Sequence, residues 1–496
     1  MKKLLLALAI IGLSAAGGWS AEILGKVKTD LRISPTNGDI VFYEISGNLK
    51  FDTQVNDNFY GMIKLGFRYS GQPKGQSALN NILIPQELAW SSSVMPLDIL
   101  IDEAYFTYDN FIFDGLEFTV GKQRIVWGTA DVFNPTDIVN PGDFYDLLSF
   151  GKKSASIAVN TTLHFNIADS ESGLQFVYQP QSPIAQLNLT MIGMMESAMS
   201  AKIIEGILPF VTSFSNHTSG WTAPSAVTPE LSIYNASYGL RYKINLGPID
   251  LSVNAVSRIN DLPYVKTISI QQQTVIDMGG GTTNITLNGK SYELAYYREA
   301  EAGLDFSWNT GLFVLWGEAG VTFPENTVTV SHSDAVVIVL PVMITNNVTT
   351  AQEASYISNQ PYVKYTIGAD CLFEGGWYIN FQFAHGFFTE RGLIGAERLQ
   401  DYFILRFEKT FLDDKIKLFL TGILNVNTLG DAFESADFGG YFNGHYGAVL
   451  QFGVTYKPTP GLELTLGSML FDGAPGCTVG QMKDYDLIYT SMEYAF

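Results

Sequence analysis

The stretch Tyr446-Gly447-Ala448-Val449-Leu450-Gln451-Phe452-Gly453-Val454-Thr455-Tyr456 decides the fold class. Tyr446, Ala448, Leu450, Phe452, Val454 and Tyr456 fall on one face of an extended chain, and Gly447, Val449, Gln451, Gly453 and Thr455 on the other. The same period of two runs through Tyr234 to Lys243. There Tyr234, Ala236, Tyr238, Leu240 and Tyr242 oppose Asn235, Ser237, Gly239, Arg241 and Lys243. At Gly61 to Tyr69, the apolar row Ile63, Leu65, Phe67 and Tyr69 opposes Met62, Lys64, Gly66 and Arg68. Each segment is a strand with one greasy and one polar face.

Between such strands the breaks come in two lengths. The short ones are Asn56-Asp57-Asn58, Leu246-Gly247-Pro248, Asn309-Thr310-Gly311, Phe373 to Gly376, Leu412-Asp413-Asp414 and Pro458 to Gly461. They use residues that tolerate or preset turn dihedrals. The long breaks fall at 71–97, 129–150, 193–230, 259–290, 323–358, 426–441 and 472–483. Alternation of short and long breaks is the plan of a transmembrane β-barrel with short periplasmic turns and long external loops. In lipid a sheet must close to satisfy its backbone, so the apolar faces point outward and the polar faces line a lumen. Tyr69, Tyr242, Trp308 and Tyr456, at strand ends, suit the interfacial girdles. The pairing gives an all-β chain of about 18 antiparallel strands. Sixteen stays open because Pro180 and Pro183 interrupt the chain after the hairpin 154–165/173–179. The Val-Ile-rich run Val336 to Met343 reads as part of an extended external hairpin, and Met194 to Phe210 equally as a short amphipathic helix or a loop tip.

Composition agrees. Only 16% of residues are charged, 46% are hydrophobic and 13% aromatic, yet no later window has the apolar length of a membrane helix. The formal charge of −20 disfavours nucleic acid as a partner. Lys2 and Lys3, the apolar run Leu4 to Leu13 and the small residues Ser14 to Gly18 form a secretory signal peptide, here taken as 1–20, leaving 21–496 as the barrel. Cys371 and Cys477 permit a disulfide in an oxidising compartment, or stay as two buried thiols. Final-strand residues Ile488, Thr490, Met492, Tyr494 and Phe496 share a face, resembling the terminal signal read by barrel-assembly machinery.

The most distinctive segment is Val120-Gly121-Lys122-Gln123-Arg124-Ile125-Val126-Trp127-Gly128, followed by Asp131, Asn134-Pro135-Thr136-Asp137 and Asn140-Pro141. It resembles a run in large proteobacterial outer-membrane barrels, similar in plan to alginate-export-type and substrate-specific porins: Gly-Arg-Gln, Trp-Gly, then Asn-Pro-x-Asp. Lys122 stands where those families usually have Arg. The resemblance covers about a tenth of the chain and implies a passive channel or exporter in the outer membrane. Read as residues, the segment is a strand followed by an inward-folding loop. Strict alternation sends Lys122 and Arg124 outward with Val120; a bulge at Gly121 would turn Arg124 inward to pair with Asp131 or Asp137. Otherwise Lys122 and Arg124 already stand above the hydrocarbon, and a rigid external loop with no role in permeation is an equal reading; of the two registers we expect the bulge.

Projected polar faces give a lumen lined by Lys64, Arg68, Arg241, Arg258 and Arg406 against Glu103, Glu117, Glu301, Asp305 and Glu318, with Arg124, Asp131 and Asp137 at a constriction. Such charges either set a transverse field or pair across strands as filling. The expected function is a porin-like channel for small polar solutes or oligosaccharides. A surface adhesin or structural barrel with a closed lumen is the alternative, and a hydrophobic-compound transporter ranks lower. No enzyme is expected. The five histidines are scattered, no nucleophile elbow occurs, and Gly279-Gly280-Gly281 lies between strands, which predicts neither metal nor cofactor.

Overall fold

The computed structural model describes residues 20–70, 97–131, 133–146, 149, 151–187, 219–221, 225–277, 283–326, 328–340, 343–357, 359–392, 398–435 and 437–496. Eighteen antiparallel strands pair in chain order and close on themselves. They are β1 (Ser20–Ile33), β2 (Ile40–Asn56), β3 (Phe59–Ser70), β4 (Leu97–Tyr108), β5 (Leu116–Gln123) and β6 (Ser156–Ile167). Next come β7 (Ser170–Gln179), β8 (Ser237–Asn245), β9 (Ile249–Ile259), β10 (Arg298–Asn309), β11 (Val314–Pro324) and β12 (Tyr362–Phe373). The last six are β13 (Trp377–His385), β14 (Asp401–Phe411), β15 (Ile416–Val426), β16 (Tyr446–Thr459), β17 (Leu462–Gly473) and β18 (Leu487–Ala495). The hairpin on either side of Ile167 is present, which settles the count at 18 rather than 16.

Closure runs along β1 and β18, from Lys26 opposite Ala495 to Ile33 opposite Ile488. Gly25 and Phe496 exchange backbone hydrogen bonds of 2.8 and 2.9 Å at the end of the seam. A Cβ at Gly25 would lie 2.3 Å from the Phe496 ring, so the glycine is the seat of the C-terminal aromatic. The short turns gather at one end, where Gly247 and Gly311 adopt φ of 75° and 88°. Long connections gather at the other.

Two of these long connections carry strands of their own. The hairpin Tyr264–Asp277/Thr283–Ala295 and the hairpin Val328–Leu340/Met343–Ile357 join in parallel through their facing strands. The Val-Ile-rich run thus belongs to an extended hairpin. The signal-peptide residues up to Trp19, the segment Met194 to Phe210 and the triple glycine Gly279–Gly281 lie outside the described residues.

The wall sorts its side chains as the alternation requires. Val253 (55% exposed), Leu304 (52%), Ile367 (54%) and Leu466 (56%) stand on the outer face, while Asn254, Asp305, Thr366 and Thr455 are buried inside. Burying such an aliphatic side chain is worth about 1.5–3 kcal/mol, so a belt of them turned outward around a whole barrel calls for lipid and not water. No helix among the described residues is long and apolar enough to cross a membrane; the strands do the crossing.

Three local expectations are corrected. The strand expected from Ser232 begins at Ser237, because Ser232 accepts from the Asn235 amide (3.2 Å) and caps a 3-10 turn, leaving Tyr234 exposed beyond the ladder. No bulge occurs at Gly121: the β5–β6 register runs unbroken from Leu116 to Gln123. The bulge is one strand away, where Asp102 of β4 is the extra residue between Glu103 opposite Lys64 and Ile101 opposite Leu65. A further long connection, 386–400, escapes the sequence reading. Of the two alternatives for the cysteines the free thiols hold, with Cys477 buried and Cys371 half-buried.

Candidate functional site

Residues 124–155 leave the outer end of β5, cross the lumen and return to β6. Their course is fixed by the residues that make the sequence motif distinctive. Trp127 is wholly buried; its indole N–H donates to Gln175 on β7 (2.8 Å), and its ring lies where a Cβ on Gly239 of β8 would stand 2.8 Å away. With Ile125, Ile138, Val139, Ala158, Val177 and Val256 it forms an apolar cluster between loop and wall. Gly128 has φ of 81°, and a side chain there would strike Asn134 and Glu318. Each asparagine of the two Asn-Pro steps ties the outgoing arm to the returning one. Asn134 donates to the Trp127 carbonyl (3.0 Å) and accepts from the Asp137 amide (2.9 Å), while Asn140 donates to the Ile125 carbonyl (2.5 Å). The following prolines hold their predecessors extended. The motif is a clamp that folds the loop on itself.

The loop is then fastened around the wall. Glu318 of β11 points inward and takes four donors from it: the amides of Thr129, Ala130 (2.6 Å) and Thr136 (3.2 Å) and the Thr136 hydroxyl (2.8 Å). Arg258 of β9 donates to the Ile138 carbonyl (2.9 Å), and Gln179 of β7 to the Val139 carbonyl (2.9 Å). On the far side Phe133 packs against Phe387 and Tyr402 with ring centres 5.0 and 5.1 Å apart. The returning arm is held by Arg32 of β1, which grips Asp146 at 2.6 and 2.9 Å, and by Arg68 of β3 over the Tyr145 ring. Shielded Arg–carboxylate forks of this kind fix geometry as well as adding energy.

The expected lining residues can now be placed. Lys64 and Glu103 face inward directly opposite one another on β3 and β4, and Arg68 pairs with Glu44 (3.4 Å). Glu117 lies near His164 (3.6 Å), Arg241 near Asp305 (3.4 Å), and Arg258 near Glu299 (3.0 Å). Glu301 accepts from Thr322 (3.0 Å), and Arg406 pairs with Glu408. Arg68, Glu117, Arg241, Asp305, Arg258 and Arg406 thus each have an ionisable neighbour of opposite type on the wall. Asp131 receives a hydrogen bond from Asn380 (3.2 Å) across the lumen. Asp137 is buried in the clamp with only a long 3.5 Å contact from the Trp127 amide, and burial pushes its carboxyl above the usual range. Arg124 departs from expectation. It alternates with the buried Gln123 and Ile125, lies exposed on the outer face beside Val126 (64% exposed), and pairs with neither Asp131 nor Asp137. Lys122 also faces outward and donates to the Ile101 carbonyl at the β4 bulge (2.6 Å). The loop's anchor is Glu318, not Arg124.

A second inward segment, described at 386–392 and 398–400, carries a buried carboxylate and guanidinium that the sequence reading did not single out. Glu390 accepts from the Phe387 and Gln400 amides (2.8 and 2.9 Å), the Thr478 hydroxyl (2.8 Å) and the Tyr402 hydroxyl. Arg391 donates to the Leu262 and Pro263 carbonyls at 2.7 and 3.1 Å. The only available signal was a Glu-Arg pair between Gly386 and Gly392. Among the described residues no group of His, Cys, Asp and Glu could hold a metal.

The loop and the second segment leave two spaces in the lumen. One, of about 60 Å³, lies toward the long-connection end between Phe133, Phe144 and the outer ends of β9 to β12. The other, of about 320 Å³, reaches from Asp131 toward the short-turn end, past Arg406, Glu408, Lys417 and Thr455. The wall between them is the clamp.

No family model matches the sequence, and no curated protein matches it. The run 120–141 thus gains no family assignment beyond its resemblance of motif. The fold is similar to outer-membrane barrels of known structure. OccAB2 of Acinetobacter baumannii shares 8% identity over 97% of this chain and 98% of its own, with a TM-score of 0.47. OmpF of Salmonella typhi, solved with daunomycin, shares 10% over 97% and 99%, with a TM-score of 0.37. Wzi of Escherichia coli, described as an outer-membrane protein involved in group 1 capsule assembly and a carbohydrate-binding β-barrel, shares 9% over 100% and 88%, with a TM-score of 0.44. At these identities no neighbour's solute or role carries across.

Proposed function

We propose that this chain is an outer-membrane channel through which small polar solutes or oligosaccharides diffuse passively, with no cofactor and no energy coupling. The observation that carries the reading is a closed sheet, greasy outside and charged inside, whose lumen is narrowed by one tightly fastened internal loop. The short-turn end then faces the periplasm and the long-connection end the exterior. Outer-membrane lipid covers the belt, and the C-terminal strand ending at Phe496 is the segment offered to assembly machinery.

A second reading, a surface barrel with a closed lumen, draws support from Phe133 bridging to Phe387 and Tyr402 across the interior. Conductance of purified, folded protein in planar bilayers separates the two. The channel reading expects discrete ohmic steps, and a folded barrel that inserts and passes no current overturns it.

A further inference from the structure

The larger space, on the short-turn side of the clamp, is lined by charges that the wall does not spend on itself. Arg406 and Glu408 of β14 and Lys417 of β15 stand there together. Arg406 pairs with Glu408, and Lys417 approaches the same Glu408 oxygen at 3.6 Å. Two cations thus share one carboxylate. The Arg406 and Lys417 side chains are 44% and 30% exposed against 15% for Glu408, so the open charge of this wall is positive. Nε and Nη2 of Arg406 both turn to Glu408, which leaves Nη1 for a ligand. Asp131, at the end of the internal loop, supplies the opposite sign. It is exposed, lines the same space, accepts from Asn380 (3.2 Å) and forms no ion pair among the described residues. Asn380 lies directly opposite Arg406 across β13 and β14. One cation and one anion, each short of a partner, therefore flank one cavity.

The rest of the lining is apolar. Ile423, Val449 and Met469 belong to the interior cluster that floors the space, and the Phe419 ring lies over Gly453, where a Cβ would come within 2.6 Å. An apolar side chain laid there gains from leaving water. The volume of about 320 Å³ is at the lower end of small-molecule sites, which run from about 300 to 1,000 Å³. A two-residue peptide spans about 7 Å when extended, enough to reach from one strand to the next but one. A simple anion would leave Asp131 unanswered, and a simple cation would leave Arg406 and Lys417 unanswered. A sugar would answer neither charge.

We propose that this vestibule binds a zwitterion with an apolar side chain, a short peptide or an amino acid, whose carboxylate goes to Arg406 and Lys417 and whose ammonium goes to Asp131. The inference deepens the channel reading by naming a solute class, and rests on it for the route by which the solute arrives. Binding at equilibrium, however, is measured without any current.

The test is calorimetric titration of the full-length barrel, in an uncharged detergent, with dileucine and three blocked forms of it. N-acetyl-dileucine lacks the ammonium, dileucine amide lacks the carboxylate, and N-acetyl-dileucine amide lacks both. Dileucine should bind saturably, and each singly charged form about fivefold more weakly, as expected for one partly exposed ion pair. Asp131→Asn should weaken dileucine about fivefold and leave N-acetyl-dileucine unchanged. Arg406→Gln should weaken dileucine as well but leave dileucine amide unchanged. Glu374→Gln, on a short turn outside the vestibule, should change nothing. If Arg406→Gln fails to give a heat-modifiable barrel, Lys417→Gln takes its place with the same expected pattern. No saturable binding of dileucine, equal binding of all four forms, tighter binding of a singly charged form, or indifference of dileucine binding to both variants overturns the proposal. A barrel that conducts but binds no dileucine loses the zwitterion site and keeps the channel. One that binds dileucine without conducting keeps the site and loses the channel.

Discussion

Replacing Glu318 with Ala should release the internal loop while leaving the barrel standing. The carboxylate is 3% exposed and answers four donors at Thr129, Ala130 and Thr136. Hydrogen bonds to a charged acceptor contribute about 1.5–3 kcal/mol each, but desolvating the carboxylate returns several kcal/mol of that sum. Alanine also strands the donors until water enters. The balance is a loss of about 3–4 kcal/mol from the loop's attachment, which corresponds to local opening about 10²–10³ times more frequent. Amide hydrogen exchange at Thr129, Ala130 and Thr136 should speed up by that factor. Single-channel current should become larger and noisier, while heat-modifiable migration is unchanged because the ladders of β10 to β12 lose nothing. Glu318→Gln should fall between, since its amide turns one acceptor into a donor facing donors. Unaltered exchange at these three amides in the alanine variant would refute Glu318 as the anchor.

Three further outcomes follow from the same geometry. Arg124→Ala should leave current, noise and loop exchange as they are, because the side chain faces outward; a loosened loop would restore the ion pair that the geometry denies. Burial raises the Asp137 carboxyl above its usual value of about 4, so the folded loop holds its proton more tightly than the released loop. The corresponding stability is complete below about pH 4 and is lost as pH rises through the raised value; loop exchange should therefore be slowest in acid, and Asp137→Asn should flatten that dependence. Gly25→Leu should unseat Phe496 from the closing seam and impair insertion much as deletion of Phe496 does, read by the yield of heat-modifiable barrel from outer membranes.

The strands were legible because a two-residue period survives any context in which one face meets lipid and the other a lumen; Tyr446 to Tyr456 pairs in the geometry with Gly447, Val449, Gln451 and Thr455 inside. The turns at Gly247, Gly311 and Gly461 were legible from dihedral chemistry. Arg124 was misplaced for a physical reason. The need of a buried acid for a partner was weighed above strand alternation, yet Gly121 keeps its register with Ala158, and backbone N–H groups answer acids as well as arginine does. Which inward glutamate would hold the loop was not legible at all, because Glu318 and Thr136 are 182 residues apart and meet only through closure. The inward segment at 386–392 was not singled out, and its Phe387 and Phe388 join the lumen's interior cluster rather than a strand face.

We propose that residues 124–155 form the constriction of a conducting barrel. Single-channel recording of the intact chain beside a chain lacking residues 131–146 decides it. That deletion removes the Thr136 contacts to Glu318, the Phe133 bridge and the Asp146 fork to Arg32. The intact chain should conduct, and the shortened one should conduct more and with altered ion selectivity. Equal conductance and selectivity in the two would contradict the claim.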